Sequence, residues 1–98
     1  MKKVKTRDRI LDTSLLLFNS LGEPNVTTLL ISDEMDISPG NLYYHFKSKG
    51  DIVEEIFDQY EHDMVDLLAV PEDADISLDQ QGFFLHLLFE TVARYRFL

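Results

Sequence analysis

Between Ser38 and Lys49 the sequence reads Ser-Pro-Gly-Asn-Leu-Tyr-Tyr-His-Phe-Lys-Ser-Lys, a run of small, polar, aromatic and cationic residues around two apolar ones. Asn41 carries a paired donor and acceptor, the arrangement that matches the adenine edge in a duplex major groove. Gly40 beside it has no side chain, so main chain can approach a base edge closely. Tyr44 offers an amphipathic ring to a thymine methyl or a phosphate, and His45 can donate to a phosphate or a purine acceptor. Lys47 and Lys49 add positive charge. Leu42 and Phe46, four apart, read as core residues of the same helix. Two assignments have plainer counterparts: Tyr43 as a packing residue, and His45 as an exposed or capping group at a helix end.

The elements that must hold these residues are all helical. From Lys5 to Leu21, apolar residues recur at spacings of three and four, the pattern of an amphipathic helix, and Gly22 and Pro24 end it. Thr27 is placed to cap a second, short helix that stops near Asp36. Ser38 is a good N-cap and Pro39 suits the first helical position, so a third short helix runs to about Phe46. Ser48 caps a long fourth helix, Asp51 complementing its positive end, and this helix keeps its apolar period up to Val70-Pro71. After an acidic linker, Glu72 to Ile76, the pair Ser77 and Gln80 forms a capping box for a fifth helix through Tyr95. That helix is apolar on nearly every side, which implies that it is surrounded. The preceding helices supply too little cover. The 98 residues are therefore expected to be part of a longer chain, or to meet a partner subunit there.

Other chemistry is poorly represented. Cysteine is absent, which removes disulfides, thiolate metal sites and thiol nucleophiles, and fits a reducing compartment. Glu54, Asp58 and Glu61 share one face of the fourth helix near His62 and Asp63. No His-Glu-x-x-His or Glu-x-x-His pair occurs, so they read as a solvated face and no metal or cofactor is expected. Ser, Asp and His occur without a nucleophile elbow, and no glycine-rich phosphate loop is present, so the chain is expected not to be an enzyme. The basic start lacks the uninterrupted apolar stretch of an export signal, and no apolar run is long enough to span a bilayer. A cytoplasmic location follows as the expectation.

The net charge of −9 points away from nucleic acid when taken as an average, but it is unevenly spread. Residues 1–50 hold seven basic and six acidic residues, whereas residues 51–98 hold two and twelve. Such a division suggests two surfaces with different partners. The cluster Lys2, Lys3, Lys5, Arg7 and Arg9 reads either as an arm that follows duplex backbone or enters the minor groove, or as a solvated tail.

A short helix, a tight turn and a second short helix with small residues at its start is the helix-turn-helix plan. Here it coincides with Leu42-Tyr43-Tyr44-His45-Phe46, with Leu17-Phe18-Asn19-Ser20-Leu21-Gly22 upstream and Lys49-Gly50-Asp51-Ile52 downstream. Over about residues 5–65 the chain resembles the tetracycline-repressor-like (TetR) family of transcriptional regulators. It departs from that family at Met35-Asp36, where Ala-Gly is usual, so Asp36 must take the left-handed conformation. It departs again at Leu29, where some members place a cationic or polar DNA-contacting residue.

The resemblance implies a three-helix DNA-binding domain over residues 1–48. Residues 49–98 would then be the connecting helix and the start of a ligand-binding and dimerisation domain. It adds Tyr43, Lys49 and Thr28 as phosphate contacts, giving a DNA-binding set of Thr28, Ser38, Pro39, Gly40, Asn41, Tyr43, Tyr44, His45, Lys47 and Lys49. It further implies a homodimeric repressor on palindromic double-stranded DNA, answering to a small ligand. Phe83, Phe84, Leu87 and Phe89 are candidates to line an apolar ligand pocket, with core packing the plainer reading of each. The competing function is an acidic helical module for protein–protein contacts, with the helix-turn-helix as scaffold.

Overall fold

A computed structural model describes residues 4–69 and 78–98, and every regular element in them is helical. In chain order these are α1 (Thr6–Leu21), a 3₁₀ turn (Glu23–Asn25), α2 (Thr28–Glu34), α3 (Pro39–His45), α4 (Lys49–Leu68) and α5 (Leu78–Arg94).

Side-chain caps start three of the helices. Thr27 Oγ1 accepts the Leu30 N–H at 3.1 Å, Ser38 Oγ that of Asn41 at 3.0 Å, and Ser48 Oγ that of Asp51 at 3.1 Å. Each satisfies a donor that the first turn leaves without an intrahelical acceptor. α1 stops because Gly22 takes φ +86°, a region closed to most side chains, while its N–H still donates to the Phe18 carbonyl. Asn25 Nδ2 then donates to the Leu21 carbonyl at 2.8 Å. The end of α2 is a Schellman closure. Asp36 sits at φ +55°, its N–H donates to the Asp33 carbonyl, and the Ile37 N–H reaches back to Ser32. The left-handed turn expected at Asp36 is therefore present, built on a non-glycine residue.

The core lies where α1 to α4 converge. Ile10, Leu11, Leu15 and Phe18 of α1 meet Val26, Ile31, Met35, Leu42, Phe46, Ile52 and Ile56, all buried. Leu42 and Phe46 thus hold α3 from beneath, as their spacing predicts. α4 stops at Leu68, short of the Val70-Pro71 boundary expected from its apolar period. Val70 to Ser77 lie outside the described residues, so the acidic linker and the Ser77 half of the capping box do too.

α5 packs along α4 but contains no buried residue. Its chain continues into a turn that docks on the first bundle. Tyr95 is buried, and Phe97 stacks at 5.0 Å on Phe18 of α1. Arg7 and Arg9 belong to α1, so the basic arm is shorter than the sequence suggests. The Arg7 guanidinium pairs with Glu55 of α4 at 3.2 Å and lies over the Phe46 ring at 4.9 Å. Arg7 is thereby a strut between helices and no free cation for DNA. No described helix is long and apolar enough to cross a membrane.

Candidate nucleic-acid interface

α3 turns one face inward and offers the other. Leu42 and Phe46 are buried, while Pro39, Gly40, Asn41, Tyr43 and Tyr44 are exposed, Tyr44 at 77% of its surface. Ser38 acts through its cap, which points the free end of α3 outward. A β-carbon added at Gly40 would meet nothing nearer than Ser38 Oγ at 4.0 Å, and Gly40 is helical. Folding therefore does not demand glycine there.

The first turns of α2 and α3 share a groove of about 520 Å³ lined by Thr27, Thr28, Pro39, Gly40, Tyr43, Lys47, Ser48 and Lys49, over a floor of Val26, Leu42 and Phe46. This brings together Thr28, Pro39, Gly40, Tyr43, Lys47 and Lys49 from three helices and one turn. Its polar rim and cationic end suit a phosphate backbone, while Asn41 and Tyr44 stand on the outer face of α3 beside it. Lys47 Nζ donates to the Tyr43 carbonyl at 3.2 Å and stands over the Tyr43 ring at 4.6 Å. Tyr43, 58% exposed, is thus no packing residue of the core.

His45 is placed apart from that groove. It is half-buried, edge-on to Tyr44 at 5.1 Å, in a separate hollow with Arg7, Lys47 and the α4 residues Asp51, Glu54, Glu55 and Asp58. Leu29 in the first turn of α2 is 63% exposed.

A family profile described as bacterial regulatory proteins of the tetR family matches residues 10–56, and a second, described as a TetR bacterial transcriptional repressor, matches residues 59–98. The chain belongs to the TetR family. The crystal structure of a TetR-family transcriptional regulator from Marinobacter aquaeolei VT8 superposes with a TM-score of 0.89 at 50% identity, covering 96% of this chain and 46% of that one. The biofilm operon icaADBC HTH-type negative transcriptional regulator IcaR of Staphylococcus epidermidis is 28% identical over 90 residues, 91% of this chain and 49% of its own length. The HTH-type transcriptional regulator AcrR of Shigella flexneri is 33% identical over 63 residues, 64% of this chain and 29% of its own. The chain thus spans about half, or less, of the length of these TetR-family relatives.

Several contacts that join α1 and α4 to the end of α5 were not legible in the sequence. Asn19 Nδ2 donates to the Arg94 carbonyl at 2.7 Å, and Asn19 Oδ1 accepts the Phe97 N–H at 3.0 Å. The Tyr95 hydroxyl donates to Asp63 Oδ2 at 2.7 Å, with the Tyr60 ring at 5.3 Å. Burial first, and the hydrogen bond to Asp63 second, push the Tyr95 phenol from 10.0 up to about 12. Nothing local marks Asn19 or Asp63, because their partners lie tens of residues away. Of the pocket candidates on α5, Phe84 and Leu87 are half-buried, whereas Phe83 and Phe89 are exposed.

Proposed function

We propose that this chain is the DNA-binding portion and the opening of the regulatory portion of a transcriptional repressor, acting as a homodimer on a palindromic duplex operator. The observation that carries the reading is the outer face of α3. Gly40, Asn41 and Tyr44 are presented to solvent on a helix pinned from below by Leu42 and Phe46 and capped by Ser38. Laid in a major groove, that face sets Asn41 against an adenine edge and Tyr44 against a thymine methyl or phosphate. Thr28, Tyr43, Lys47 and Lys49 follow the backbone beside it and fix register. His45 is left out of this face, because the four α4 carboxylates that share its hollow would repel a phosphate.

Residues 1–48 form the DNA-binding domain and residues 49–98 begin the domain that dimerises and takes a small ligand, with Phe84 and Leu87 on its inner side. α4 links the two, running from the groove at Lys49 to its contacts with α5, so a ligand that tilts α4 moves α3 as well. Repression is supported by the staphylococcal relative, a negative transcriptional regulator, and a cytoplasmic location by the transcriptional role proposed here.

Selection of genomic duplexes by the full-length protein tests this. The expected result is an enriched palindrome whose binding weakens steeply with salt. Failure to bind any member of a random duplex library at low salt would refute the DNA reading and favour the protein-contact alternative.

A further inference from the structure

Lys47 and Lys49 line one groove, yet they are held by different partners. Lys47 Nζ meets a carbonyl and an aromatic ring, neither of which carries a formal charge. Lys49 Nζ donates to the main-chain oxygen of Glu23 at 3.1 Å and pairs with the Glu23 carboxylate at 3.3 Å. Both side chains of that pair are only about a third exposed, at 29% and 36%, so solvent and ions screen it incompletely. Glu23 also sits on a rigid mount. The Gly22 closure precedes it, and the Asn25 and Val26 N–H groups bond back to Gly22 and Glu23 across the 3₁₀ turn.

We propose that Glu23 is a positioning residue that competes with the DNA backbone for Lys49. The carboxylate keeps the ammonium in the groove while DNA is absent and cancels its charge. A phosphate arriving at Lys49 must displace or share the carboxylate, and it meets a like charge in doing so. Because phosphates are present in every duplex, this competition lowers affinity for all sequences alike and leaves base preference to α3. The inference rests on the DNA-binding reading above.

The test uses the full-length protein and a random-sequence duplex pool, titrated over a salt series. Glu23→Gln preserves shape and the main-chain acceptor while removing the charge. It is expected to tighten binding about two- to fivefold at low salt, the range open to a partly exposed ion pair. The gain should shrink as salt rises and vanish in the Lys49→Ala background. Glu23→Ala, which also keeps the main-chain acceptor, should show the same gain. Glu61→Gln makes the equal charge change on an exposed α4 position three turns away, and should give a clearly smaller gain. Unchanged or weaker binding by both Glu23 variants, with thermal unfolding intact, overturns the proposal. So does a gain of equal size in the Lys49→Ala background, which would mark a general charge effect. If the wild-type protein binds no duplex at all, the DNA reading itself falls, and the competition with it.

Discussion

Residues 6–48 bury their apolar side chains on all three helices, whereas α5, which is richer in phenylalanine and leucine, buries none. The two regions differ in neighbours more than in residue type. In the first bundle α2 packs against both α1 and α3, and the caps at Thr27 and Ser38 let these two-turn helices begin where packing needs them. α5 has α4 along one side, and Phe83, Leu85, Phe89 and Val92 remain exposed. What joins the two regions is a small set of directed contacts at the end of α5, Asn19 to Arg94 and Phe97 and the Phe97 ring on Phe18, while Tyr95 ties the same end to Asp63 of α4.

That contrast can be broken most sharply in the cores. Leu42→Ala removes a buried side chain beneath α3 and is expected to cost about 2–5 kcal/mol in urea unfolding. Phe83→Ser on the exposed face of α5 should change stability by no more than about 0.5 kcal/mol in the 98-residue chain. Equal losses would mean that α5 is packed as tightly as the bundle. Next in size is the joint itself. Asn19→Ala deletes two hydrogen bonds from α1, one to the last residue of α5 and one to the chain after it, and should cost about 1–3 kcal/mol. Hydrogen exchange is expected to rise at Tyr95 to Leu98 while α3 stays protected.

The pH response of the same joint comes third. The folded protein holds the Tyr95 proton to about pH 12, whereas an unfolded tyrosine releases it near 10.0. The stabilisation is complete below pH 10 and is lost as pH rises towards 12. Urea midpoints of wild type and Tyr95→Phe, compared over that window, should converge as pH rises, and parallel curves would refute the assignment. The smallest effect belongs to the α3 face proposed to meet DNA. Lys47→Ala should reduce the slope of log affinity against log salt by about 1 and weaken all duplexes alike.

Much of the N-terminal half was legible in the residues because its signals are local. A cap and its acceptor lie three residues apart, the left-handed turn at Asp36 follows from where α2 must end, and Leu42 with Phe46 define the buried face of α3. The groove was only partly legible. Thr28, Tyr43 and Lys49 came to attention through family resemblance, and neither Glu23 nor its claim on Lys49 had any local mark. The role read for Arg7 in the arm changed because α1 begins at Thr6 and aims that guanidinium at Glu55 and Phe46.

The sequence by itself determined the helices, the capped starts of α2, α3 and α4, and the inner and outer faces of α3, all of which depend on residues within one or two turns of one another; the charge division between the halves follows from composition alone. Only the tertiary structure decided which cations are free and which are engaged, and that the chain after α5 returns to α1. Those outcomes rest on pairs such as Lys49 with Glu23 and Asn19 with Phe97. Their members are far apart in the chain, and packing alone brings them within hydrogen-bonding distance.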